Sequence, residues 1–152
     1  MSIEVPVEIL GSLTLPEVVA ALVVDLVSVE AVEGCALDRV ADSNAEADLT
    51  WRLVSTDERR EKRAAIEEFA ISNLGEPLFL NAWRTVRKVL GSSVLAARVG
   101  PLDAARLLVP LGVEPGTYEE IDELWGLVSE WEDDVGHRSE YLARIREFLI
   151  AG

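Results

Sequence analysis

A single cysteine, Cys35, and a single histidine, His137, give the chain one nucleophilic pair. A thiol attacks as its thiolate, so it needs a base or positive surroundings; His137, oriented by an acid such as Asp134, could supply them. Cys35 lies between Gly34 and Ala36 beside an apolar stretch, however, with no strand-to-helix elbow around it. His137 stands in a Gly136-His137-Arg138-Ser139 junction that reads as a surface turn. A buried structural cysteine is therefore the simpler reading. One His and one Cys cannot compose an ordinary zinc site or the Glu-x-x-His pairs of a di-iron bundle. The run Glu130-Trp131-Glu132-Asp133-Asp134 offers oxygens to a hard cation but lacks the glycine and the alternation of a calcium loop. Neither G-x-x-x-x-G-K nor G-x-G-x-x-G occurs. The expectation is no catalytic residue, no cofactor and no metal.

Charge is more informative. The 152 residues carry 28 acids and 14 bases, a net −14, with an apolar fraction of 49% typical of a globular chain. A chain of this length buries roughly 70% of its unfolded surface, so neither a disulfide nor a metal is needed for folding. Residues 1–50 hold 10 acids and one base, residues 51–110 hold 7 acids and 10 bases, and residues 111–152 hold 11 acids and 3 bases. Nucleic acid and anionic membranes are disfavoured partners for such a surface. What remains compatible is a basic protein partner, drawn in at long range by opposite charge, or an acidity that simply keeps the protein soluble, the commoner use. The N-terminus carries Glu4 and Glu8 where a signal peptide carries cations, and the apolar run Val18–Val24 is too short to span a membrane. A cytoplasmic location is expected. The Ala- and Val-rich usage, with only two lysines, fits a GC-rich bacterial genome.

Two charged surfaces stand out. The predicted helix over 117–135 carries Glu119, Glu120, Asp122, Glu123, Glu130, Glu132, Asp133 and Asp134, with no base between Arg106 and Arg138. Crowded like charges repel at i,i+4, so helix stability alone does not account for them. Trp125 and Trp131 are six residues apart and cannot share one narrow stripe. A tryptophan rimmed by carboxylates is the anatomy of an interface anchor for an Arg- or Lys-rich partner. The second surface is basic: Arg59, Arg60, Lys62 and Arg63 at one helix start, and Arg84, Arg87 and Lys88 on another helix. Intrachain pairing with the acidic ends is the expected use, a small anion site the alternative. Residues 104–120 outline a helix-turn-helix. Its second helix would open Tyr118-Glu119-Glu120, with carboxylates where phosphate contacts belong, so DNA binding is rejected.

The elements that position these residues are read from periodicity. Ile3, Val5, Val7 and Ile9 alternate with Glu4, Pro6 and Glu8, which predicts an edge strand over 3–9. Pro16 and Glu17 open a helix that is apolar almost all round from Val18 to Val29, with a Val-rich strand over 23–32 as the competitor. Residues 34–48 read as a short helical turn and a loop, with Asp42-Ser43-Asn44 as a polar turn. Leu49, Trp51 and Leu53 alternate with polar neighbours, which predicts a second strand over 49–54. Ser55 and Glu58 have capping-box spacing for a helix that Gly75 ends. Pro77 opens the next, closed by Gly91, and short helical pieces follow at 93–98 and 101–109. Thr117 and Glu120 give a second capping-box spacing, and the last helix runs through Tyr141, Ile145 and Leu149.

The sequence thus predicts one mainly α domain of five to six helices over 1–152, of α+β class through a minor N-terminal β element from 3–9 and 49–54. Its expected role is that of a non-catalytic acidic interaction domain, an inhibitor, immunity or antitoxin-like binder that covers a basic protein surface. The alternatives are a scaffold subunit that self-associates into a homo-oligomer and a small enzyme using Cys35 and His137.

Overall fold

Thr14 sets the first helix in motion. Its hydroxyl accepts from the Glu17 amide at 3.3 Å while the Glu17 carboxylate accepts from the Thr14 amide at 2.8 Å, a reciprocal cap with Pro16 in the first turn. The structure, a computed structural model, describes residues 12–38, 41–109 and 113–152. Among the described residues there are eight α-helices, one 3-10 turn and no strand. The chain divides into two compact units, Met1–Trp83 and Arg84–Gly152.

In the first unit, α1 (Leu15–Val23) is buried over most of its surface and packs against α2 (Val29–Leu37) and α4 (Arg59–Leu74). The predicted competition between helix and strand over 23–32 ends in two helices. Asp25 adopts a φ of +67°, and Ser28 caps α2 by accepting from the Ala31 amide at 3.1 Å. The valines Val29 and Val32 then serve α2 as buried core residues.

The strand predicted over 49–54 is overturned. These residues belong to α3 (Asn44–Val54), so among the described residues the protein is all-helical and not α+β. The strand predicted over 3–9 lies outside the described residues. The physical reason is the cap: Ser43 accepts from the Glu46 amide at 3.2 Å and starts the helix inside what read as a polar loop. Leu49 and Leu53, four residues apart, are both buried, while Trp51 between them faces away. The period is helical, and the apparent alternation comes from sampling a helix at every second residue.

Two predicted capping boxes do not form. Ser55 is the C-cap of α3, its hydroxyl donating to the Trp51 carbonyl at 2.6 Å. Thr56, one residue on, accepts from the Glu58 amide and donates to the Glu61 carboxylate at 2.7 Å. Thr117 donates to the Glu114 carbonyl, and α7 (Glu119–Asp133) starts after Tyr118 with no side-chain cap.

α4 does end at Gly75, which takes a φ of +75°, and Asn81 at the start of α5 (Leu78–Leu95) donates to the Leu74 carbonyl at 2.9 Å. In the second unit α6 (Pro101–Leu108), α7 and α8 (Arg138–Ile150) pack on one another, with the turn Val135–His137 joining the last two. Leu108, Ile121, Leu124, Ile145 and Leu149 form the centre of this core. Gly91 does not close α5, as its position suggested. The helix passes through it to Leu95 because the backbone of α8 crosses there. A Cβ on Gly91 would overlap the Leu149 carbonyl, with its carbon 2.9 Å away. No helix of the described residues is long and apolar enough to cross a membrane.

Gly126, in the middle of α7, has nothing within 4 Å of where its Cβ would stand. The same substitution therefore has opposite signs at two helical glycines. Gly126→Ala should stabilise by about 0.5–1 kcal/mol through helix propensity. Gly91→Ala should destabilise by about 1–3 kcal/mol through overpacking. Urea unfolding of both variants checks this, and equal effects would contradict the crossing.

Candidate functional site

The second unit carries all ten residues expected to bind a partner, and its geometry sorts them. At the start of α7, Glu120 turns toward α5. The Arg84 Nε donates to its carboxylate at 2.9 Å, and the Arg87 guanidinium lies 3.5 Å from its other oxygen. Arg87 is only 14% exposed; it stacks 3.7 Å from the Phe148 ring centroid and donates to the Phe148 carbonyl at 3.1 Å, near the end of α8 where carbonyls lack helical partners. The hydrogen bond from Arg84 holds the Glu120 carboxyl below the usual glutamate range, and the same bond raises Arg84. Burial lowers Arg87, against the pull of Glu120. Asp122 accepts from the Gly116 amide at 2.9 Å, which fixes the approach to the helix.

At the other end of α7, Trp131 lies under two of the chain's own cations. The Arg138 guanidinium stands 4.4 Å from its ring and Arg106 5.6 Å. Arg138 also donates to the Trp131 carbonyl at 3.1 Å, and Arg106 pairs with Glu132 at 3.7 Å. This knot ties α6, α7 and α8 together. Asp134 accepts from the Tyr141 hydroxyl at 3.2 Å and lies 2.9 Å from His137 Nδ1. Partial burial, then the charge of Asp134, raise Tyr141 above the ordinary phenol range.

What remains is an outward stripe. Glu119, Glu123, Glu130 and Asp133 are exposed, and none has a hydrogen bond or ion pair among the described residues. At 100° per residue they lie within an arc of about 80°, opposite the buried Ile121, Leu124 and Val128. Trp125 and Trp131 are half-buried and flank the buried stripe on its two sides.

The basic cluster is largely matched within each unit. Lys62 reaches Glu33 at 2.8 Å with both side chains mostly buried, Arg59 pairs with Glu30 at 3.2 Å, and Arg63 with Glu67 at 3.3 Å. Glu30 is held below its ordinary range by its own amide at the start of α2, then by Arg59. Arg52, on α3, pairs with Glu68. Arg60 and Lys88 are exposed, without an ion pair among the described residues.

Cys35 is half-buried on α2 of the first unit, and His137 sits in the 3-10 turn of the second, oriented by Asp134 as the sequence suggested. No group of three or more His, Cys, Asp or Glu side chains among the described residues is arranged to hold a metal ion.

One surface residue escaped the sequence reading. Trp51 is 70% exposed, with Val54 beside it at 49%. The signal was present: Ser43 and Glu46 have capping-box spacing, and a helix started there puts Trp51 opposite Leu49 and Leu53.

The Glu120 seam gives a pH test with a definite sign. Folding favours ionised Glu120, so its contribution is full at neutral pH and is lost as pH falls through the depressed folded-state value. Glu120→Gln should destabilise by about 1 kcal/mol at pH 7, discounted for the solvent screening of a partly exposed pair. The difference from the unsubstituted protein should shrink below about pH 4 as both side chains become neutral. A gap that persists unchanged into acid would contradict the assignment.

Compared with protein families, with curated proteins and with solved structures, the chain matches none.

Proposed function

We propose that the chain is a non-catalytic, cytoplasmic, acidic interaction domain that binds a basic surface on a protein partner, in the manner of an inhibitor, immunity or antitoxin-like protein. The observation that carries this reading is the outward stripe Glu119, Glu123, Glu130 and Asp133, none of which forms an ion pair among the described residues, Glu123 alone acting on Arg87 at longer range. The stripe is costly to the helix that bears it. Glu119 and Glu123 repel at i,i+4, and Glu130 and Asp133 lie in or beside a last turn with no basic residue, where the helix dipole already concentrates negative charge. Glu119 alone, in the first turn, is favourably placed. A row of carboxylates carries the same sign of charge as a phosphate backbone, so it competes for the place of nucleic acid on such a partner. The contacts of Glu120 with Arg84 and Arg87, and of Trp131 with Arg138, hold α7 at both ends, which lowers the ordering cost of binding.

The reading predicts a conflict between stability and binding. The quadruple variant Glu119→Gln, Glu123→Gln, Glu130→Gln, Asp133→Asn should unfold at an equal or higher temperature than the unsubstituted protein. In affinity capture from the source organism's lysate, it should lose the basic proteins that the unsubstituted chain retains. Raising salt to about 0.5 M should release the same proteins, because screening removes the steering field. A captured set indifferent to both the variant and salt would contradict the proposal.

A further inference from the structure

The first unit holds a second feature of this kind. Between α3 and α4 lies an open groove of about 340 Å³ whose lining includes Trp51, Arg52, Thr56, Glu61, Ala64 and Ala65. We propose that this groove seats one Arg or Lys side chain of a basic protein partner. The inference rests on the reading of a basic partner above and names a place where that partner is gripped.

Three observations bear on it. First, Trp51 is the most exposed large apolar side chain of the described residues, and none of the cation–π contacts among those residues involves it. Trp131, by contrast, lies under Arg138 and Arg106. Arg52, the cation that itself lines the groove, is neutralised by its ion pair with Glu68, which leaves Glu61 as the groove's unmatched charge. Second, Glu61 is fixed by the Thr56 hydroxyl at 2.7 Å and has no cation partner among the described residues. An indole and a carboxylate lining one groove attract a cation in two ways, through the ring quadrupole and through charge. Third, the groove is roomy enough to admit one long side chain, and Ala64 and Ala65 in its lining offer apolar surface to an aliphatic stem. A second copy of this chain is the weaker occupant, because it brings a further −14 to a surface already negative.

The probe is a peptide of alternating Arg and Gly, set against the same peptide with citrulline, a neutral isostere, for Arg. Binding is read from the Trp51 indole N–H resonance, assigned with Trp51→Phe, and from backbone amides throughout. The Arg peptide should shift the Trp51 indole and the amides of Glu61 and Ala64 saturably, and the citrulline peptide should not. Trp51→Ala should weaken this binding about three- to fivefold, the size of an exposed cation–π contact. Glu61→Gln should weaken it about twofold. Both sites are exposed, and circular dichroism confirms that each variant is folded. If shifts appear only along Glu119, Glu123, Glu130 and Asp133, the seat is overturned while the acidic-surface reading stands. If neither region moves, both fall. Equal shifts with the citrulline peptide overturn the cationic occupant. So does a concentration-dependent dimer, seen by sedimentation, that Trp51→Ala abolishes.

Discussion

The chain has twice as many carboxylates as cationic side chains, and this imbalance governs where each cation can stand. Were all 14 bases paired one to one, half of the 28 acids would still face water or a partner. The cations are concentrated where two helices, or a helix end and its neighbour, need an ionic link. Lys62 joins α4 to Glu33 on α2, Arg84 and Arg87 meet at Glu120, and Arg106 reaches Glu132. The exposed pairs among these, Arg84–Glu120 and Arg106–Glu132, contribute little individually. Their effect is positional, since they fix which acids of α7 are left without an ion pair. On α7 those acids form a single stripe opposite the core.

The tryptophans follow the same division. Trp83 is core, and Trp131 is bound under arginines that also close the C-terminal end of α7. That closure matters because α7 ends in acids, against its own dipole. Arg138 offsets part of this by donating to the Trp131 carbonyl and lying over the ring at once. Trp51 has no such cover, and exposing an indole forgoes hydrophobic stabilisation that burial elsewhere would give. Both unsatisfied features, the anionic stripe and the bare indole, suit a cationic protein surface.

The sequence showed the helices wherever punctuation and periodicity agreed. Thr14 with Pro16 and Glu17, and Gly75 before Pro77, were legible because a cap and an apolar period pointed the same way, whereas the stripe through Ile121, Leu124 and Val128 was legible from its period alone, since the expected Thr117 cap does not form. It misled where a short window could be read at two periods. Leu49, Trp51 and Leu53 fit alternation, and only the cap at Ser43 distinguishes a helix from a strand. Gly91 misled for another reason. A helical glycine can mark an end or a crossing, and the crossing backbone of α8 is separated from it by more than fifty residues. The acidic surface was legible in composition. Which acids are matched was not, because Glu120 and Arg84 meet only in the folded chain. Trp51 was hidden by the wrong period alone.

Recognition of a basic partner by α7 requires that its outward acids form an anionic row that no ion pair neutralises. The most direct measurement is amide relaxation enhancement by a cationic paramagnetic cosolute, compared residue by residue with that from an anionic analogue of the same size. Amides at Glu119, Glu123, Gly126, Glu130 and Asp133 should be relaxed far more by the cation, and the excess should fall as salt screens the row. Amides around Arg84 and Arg87 should show a much smaller difference. A cation-to-anion ratio uniform along α7, or one that salt leaves unchanged, would contradict it.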